Sequence, residues 1–226
     1  MAISLLAATI GAVTPDGYQP VRLTTAQGIV EGRWTGTQNP SRAVLWLGSG
    51  EAGPDPAAEG DADGFDCPAH QLYPRMTAEF RQDGIASLRI RFRHPGQLRE
   101  SVHDSLAGIA FLKRQRVAAC GIVGHSFGGA VAAQTAALSP SARALVLLAT
   151  QTYGAAAVAH LGPRCPVLII HGAEDEVLAP TCSEEVYAQA RHPKRLELIP
   201  AAGHGLDAAA DMVTRMTRTW LREHLG

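Results

Sequence analysis

Residues 117–133 read VAACGIVGHSFGGAVAA, and the change of pattern inside this stretch decides the fold. Up to Val123 the run is apolar and fits a buried strand. From Phe127 it becomes a small-residue helix that runs to about Leu138, where Ser139 and Pro140 close it. Between the two lies Gly124-His125-Ser126-Phe127-Gly128, a GxSxG pattern. The bare pattern is weak evidence, but its setting is not. A turn this sharp from strand to helix strains the backbone of its central residue and demands small neighbours two positions away on either side. Gly124 and Gly128 meet that demand, while Gly129 and Ala130 let the helix approach the sheet closely. Ser126 is therefore expected to project above the sheet, where a helix N-terminus offers amides to a developing negative charge. The plainer reading is a glycine-rich turn that binds nothing, or a phosphate. No GxGxxG or GxxxxGK[ST] supports the phosphate.

Working outward, the period alternates between two and 3.6. PVRLT and GIVEGRW read as two strands joined by a turn, and RAVLWLG (42–48) as a buried one. The N-terminal MAISLLAATIGAV reads as a first strand or a short helix; its first positive side chain is Arg22, so no basic leader region is seen. Gly48 to Cys67 has no apolar period and carries Glu51, Asp55, Glu59, Asp61, Asp63 and Asp66, which predicts a long acidic loop. A helix over 70–84, a strand over 85–92 and a helix over 101–116 follow. Val102, Leu106, Ile109 and Leu112 are predicted to share the buried face of that last helix. Arg89 and Arg91 are predicted to face solvent. Strands at 142–149, 166–172 and 194–200 and a final helix from Leu206 to about His224 complete the chain. Strands alternating with helices mean a mostly parallel sheet with helices on both faces, in one domain spanning 1–226. Between Ala149 and Val167 there is room for a short helix at most, so no helical cap is expected.

A serine hydroxyl needs a base, and the base needs an acid to hold its tautomer. Asp175 follows the strand LII in IIHGAEDEVLAP, and His204 follows the last strand in IPAAGHGLD. Both fall at carboxyl ends of strands, where an open α/β sheet places its ligands. Glu174 is the competitor for the acid, with Glu176 behind it. His171 is expected to turn inward and bond backbone or Asp175, and His125 to make a packed polar contact. Tyr153 and Leu178, with Gly50, are expected to wall the substrate pocket.

The composition sets the frame for this chemistry. Of 226 residues 46% are hydrophobic and 18% charged, which excludes general disorder. Twenty Lys+Arg balance twenty-one Asp+Glu for a net charge of -1, so nothing marks a nucleic-acid or anionic-membrane surface. No apolar run approaches the roughly 20 residues of a spanning helix. The cysteines at 67, 120, 165 and 182 form no CxxC and no metal spacing, and a chain of this size needs no disulfide staple. A cytoplasmic protein needing neither metal nor cofactor is the expectation.

With Ser126, Asp175 and His204 in that order, the chain resembles the α/β-hydrolase superfamily, most closely its small dienelactone-hydrolase-like and serine-esterase branches. The resemblance runs from about Arg42 to the C-terminus. It rests on the elbow GHSFG, on HGAED with DEVLAP after it, and on the GH of His204. It implies the α/β-hydrolase fold, a Ser126-His204-Asp175 triad, and an oxyanion hole built from the N–H of Phe127 and one in the loop after residues 42–48. Many members carry His-Gly in that loop. Here it reads Leu47-Gly48-Ser49-Gly50, which places the second donor at Ser49, with Gly50 the runner-up. The reaction implied is acyl transfer to water on a small neutral ester or thioester. A non-catalytic ligand-binding relative, a cofactor-free perhydrolase or haloperoxidase, and a small peptidase would carry the same residues.

Overall fold

The computed structural model describes residues 5–49, Phe65 and 68–226. Strands β1 (Leu5–Ile10), β2 (Gln19–Thr25) and β3 (Gly28–Thr35) form an antiparallel start, and β4 is Arg42–Leu47. Helix α1 (Leu72–Gln82), β5 (Ala86–Arg91), α2 (Leu98–Arg114), β6 (Ala119–His125), α3 (Phe127–Leu138) and β7 (Ala142–Leu148) follow. Next come β8 (Val167–Gly172), α4 (Thr181–Gln189), β9 (Lys194–Ile199) and α5 (Ala210–Leu225). The nine strands make one sheet in the order β1-β2-β3-β5-β4-β6-β7-β8-β9. Strand β3 runs antiparallel to β5, and from β5 through β9 every neighbouring pair is parallel. This is the α/β-hydrolase fold. Among the described residues only two short 3₁₀ turns, Ala155–His160 and Gly162–Arg164, lie between β7 and β8, and no helical cap is present. No helix among them is long and apolar enough to cross a membrane.

The alternation along β4 explains the two layers. Ala43, Leu45 and Leu47 enter a core shared with α2, α3 and α4, while Val44 and Trp46 face the opposite core with α1 and α5. Trp46 is fully buried, 5.0 Å from the Tyr73 ring and 6.2 Å from that of Phe80. Each such side chain contributes about 1.5–3 kcal/mol by leaving water. The Tyr73 hydroxyl donates to the Leu47 carbonyl at 2.8 Å, fixing the end of β4 where the site begins.

The structure corrects three expectations. Arg89 is 4% exposed, on the face covered by α1, with its guanidinium 5.5 Å from the centre of the Tyr18 ring. Its neighbour Arg91 does reach the surface, where it pairs with Glu31. Val102 and Leu112 are buried as expected, whereas Leu106 and Ile109 are only half-buried. The fully buried face of α2 runs instead through Ser101, Ser105, Gly108 and Leu112, because small residues let the helix lie close against β4 and β5. Helix α4 has no counterpart in the sequence reading. The acidic segment expected to loop from Gly48 to Cys67 lies outside the described residues apart from Gly48, Ser49 and Phe65, and so do Gly50 and Cys67.

The strand order places a switch point at β4. The chain leaves β4 toward β5 on one side, then crosses to β6 on the other. A crevice opens outside the carboxyl ends of strands at such a point. Gly48, Ser49 and Ser126 all lie there.

Candidate active site

Ser126 sits between β6 and α3 at φ 56°, ψ -123°, a conformation natural to glycine and strained for serine. Three glycines make the turn feasible. A Cβ at Gly124 would stand 2.2 Å from the Gly128 carbonyl oxygen, one at Gly128 would stand 2.1 Å from that of Gly48, and one at Gly129 would stand 2.3 Å from Thr150 Oγ1. The elbow is thereby pressed against β4, β6 and β7 at once. The Ser126 N–H donates to the Leu148 carbonyl at 2.8 Å, and the Gly129 N–H to that of Ser126 at 2.9 Å. As a first-turn amide, the Phe127 N–H has no carbonyl acceptor within its own helix. Its side chain is turned inward, edge-on to Phe92 at 6.0 Å.

Asp175 follows β8, and its side chain is fully buried. Oδ1 accepts the N–H groups of Val177 and Leu178, each at 2.8 Å. Oδ2 lies 2.7 Å from His204 Nδ1 and 3.0 Å from His171 Nε2. Burial pushes this carboxyl up, but the Leu178 amide, His204 and the Val177 amide outweigh it and hold it below its ordinary range. Glu174 and Glu176 are exposed, so the acid facing His204 is Asp175. The backbone explains the meeting. A Cβ at Gly172 would stand 2.1 Å from the Ala202 carbonyl oxygen, so the end of β8 touches the β9–α5 loop directly. That loop is tied on its other side to the segment just before α1, with the Ala69 N–H donating to the Gly205 carbonyl at 2.8 Å and the His70 N–H to Asp207 Oδ1 at 2.8 Å.

His204 is 19% exposed at its side chain, with its ring 4.9 Å from that of His125, the residue before Ser126. The His125 Nε2–H donates to the His204 carbonyl at 3.0 Å. Burial, with His204 nearby, pushes the His125 imidazole down to about 4, so it stays neutral. The structure thus places Ser126, Asp175 and His204 beyond the carboxyl ends of β6, β8 and β9. Among the described residues no hydrogen bond joins Ser126 Oγ to His204. Ser49 is half-buried just beyond the Gly48 carbonyl that Gly128 abuts. No group of side chains that could hold a metal ion occurs among the described residues.

One pocket expectation changes. Tyr153 is 75% exposed and lines a groove of about 750 Å³ with Leu98, Val102, Leu106 and Leu138, which none of Ser126, Asp175 and His204 lines. Its segment is drawn there by Gln134, whose amide donates to the Gly154 carbonyl at 3.1 Å. Leu178 is half-buried, and it serves Asp175 through its amide. Ser183, which bonds His171, was missed because it lies on the unrecognised α4.

The profile of the dienelactone hydrolase family matches residues 62–218, which include Ser126, Asp175 and His204. The chain belongs to this family. Solved structures agree in fold. A dienelactone hydrolase from Anabaena variabilis superposes with a TM-score of 0.72 at 21% identity, over 93% of this chain and 100% of that one. An esterase from Pyrococcus furiosus gives 0.73 at 17% identity over 96% and 98%. A putative α/β hydrolase from Agrobacterium tumefaciens gives 0.73 at 18% over 91% and 96%. Among curated proteins none matches the chain in sequence. Membership in the dienelactone hydrolase family makes hydrolysis the frame within which the site is read.

Proposed function

We propose that this dienelactone hydrolase family member is a serine hydrolase that cleaves small neutral carboxylic esters or thioesters through an acyl-enzyme. The observation that carries the reading is the pairing of Asp175 with His204 at 2.7 Å, on a loop whose histidine rests against the residue next to the strained Ser126. His204 Nε2 takes the proton as Ser126 Oγ attacks the carbonyl carbon. The oxyanion meets the Phe127 N–H and that of Ser49. His204 then protonates the leaving oxygen or sulfur, and water repeats the cycle to free Ser126. Neutral His204 is the base. Contact between substrate and the oxyanion donors draws Ser126 and His204 into hydrogen-bond reach, since such bonds often tighten only in the complex.

The short 3₁₀ turns between β7 and β8 supply no apolar cover for a long acyl chain. The test is kcat/KM across acetyl, butyryl, octanoyl and palmitoyl p-nitrophenyl esters, each below its aggregation limit, with Ser126→Ala as the control. The expected maximum is at acetyl or butyryl, with no turnover by the variant. A maximum at octanoyl or beyond contradicts the substrate class, and wild-type turnover by Ser126→Ala contradicts the mechanism.

A further inference from the structure

Behind the acid lies a second histidine that the triad chemistry does not use. His171, the penultimate residue of β8, is fully buried. Its Nδ1 is 2.6 Å from Ser183 Oγ on α4. Its Nε2 is 3.0 Å from the Leu178 carbonyl oxygen and 3.0 Å from Asp175 Oδ2. Both neighbours of Nε2 are acceptors, so Nε2 carries a proton. In the neutral ring Nδ1 then accepts from the Ser183 hydroxyl, which fixes the tautomer. Asp175 Oδ2 thus has two imidazole nitrogens close by: His204 Nδ1, hydrogen-bonded at 2.7 Å, and His171 Nε2 at 3.0 Å, whose N–H is given to the Leu178 carbonyl.

We propose that His171 is a positioning residue that shares Asp175 with His204 and thereby sets how strongly the acid holds the His204 imidazolium. The inference rests on the hydrolase reading of Ser126, Asp175 and His204. Its physical basis is competition for one oxygen. The dipole of a second N–H, 3.0 Å from Oδ2, offsets part of the charge that would otherwise stabilise protonated His204, and the imidazole backs the carboxylate from behind. The same N–H bonds the Leu178 carbonyl, whose own amide bonds Oδ1. The acid, its loop and α4 are therefore clamped together at His171. Among the described residues, the other titratable group against His204 is His125 of β6, whose imidazole is pushed down to about 4 and so is neutral at neutral pH. Glu174 and Glu176, beside Asp175 in the chain, point to solvent.

Removing the N–H should strengthen the pull of Asp175 on His204. In His171→Met the acid limb of kcat/KM is expected to move up by roughly half a pH unit, while in His171→Gln, whose amide restores a donor, it returns toward wild type. A merely structural role would lower stability in both without moving the limb. Because a buried substitution can unfold the chain, the wild-type protein labelled with ¹⁵N-histidine supplies the second measurement. The His171 ring signals are expected to show an Nε2–H tautomer and to shift with the same midpoint as His204. His171 signals that stay flat while His204 titrates overturn the proposal, as does an unmoved acid limb in folded His171→Met. The NMR reading needs no turnover. An unreactive Ser126 would sink the hydrolase reading and leave this coupling standing.

Discussion

Ser126 holds φ 56° because the elbow needs it there, at a cost of order 1–3 kcal/mol for a residue with a Cβ. Ser126→Gly should relieve that strain and Ser126→Ala should not. The glycine variant is expected to be more stable than the alanine variant by about 1 kcal/mol, seen as a thermal midpoint roughly 2–4 °C higher. Equal midpoints would mean that the turn is unstrained. His125 gives a pH-dependent counterpart. Its pKa is lowered from 6.5 to about 4 in the fold, so between those values the unfolded chain binds more protons than the native one. Stability contributed by neutral His125 is complete above about 6.5 and lost as pH falls toward 4, up to about 3 kcal/mol. Urea titrations should show His125→Gln, which keeps a side-chain donor, gaining on the wild type across that window. Parallel curves would contradict the assignment. Much at this scale was legible. The two glycines two positions from Ser126 marked the turn, and HGAED marked the carboxylate that faces His204. Ser183 and the Tyr153 groove were not legible, because each depends on which helix covers which strand.

Elements are set by packing as much as by pattern, and α2 shows why. Val102, Leu106, Ile109 and Leu112 formed an apolar stripe in the sequence, yet Ser101, Ser105 and Gly108 lie fully buried against the sheet. A helix that packs close does so on its small residues, which hydrophobicity does not flag. Helix α4 escaped notice for a related reason. Only Ser183 and Val186 on it are buried, so it carries almost no apolar period. Alanine-rich α3, opened by Gly128 and Gly129, was plain. Its packing yields a sharp expectation. Gly128→Ala would place a Cβ 2.1 Å from the Gly48 carbonyl oxygen, and since backbone must move on both sides the cost should be about 3 kcal/mol. Chemical denaturation measures it. A change below 1 kcal/mol would mean that β4 and α3 are not clamped as described.

For the whole molecule, alternating strands and helices predicted the parallel sheet, and the order Ser126, Asp175, His204 along the chain matched its carboxyl edge. The full strand order was out of reach. Nothing local in β3 says that it pairs with β5 and not with β4, which is a matter of long-range pairing. That order nevertheless makes the site, because the reversal at β4 brings Ser49 beside the start of α3 while β6, β8 and the loop after β9 deliver the other groups. The central claim is that this convergence makes Ser126 the nucleophile of an acyl transfer. Treatment of the folded protein with a fluorophosphonate, followed by peptide mass mapping, tests it most directly. The account predicts a single adduct on Ser126, abolished in His204→Ala. An adduct on another residue, or none on protein shown to be folded, would contradict it.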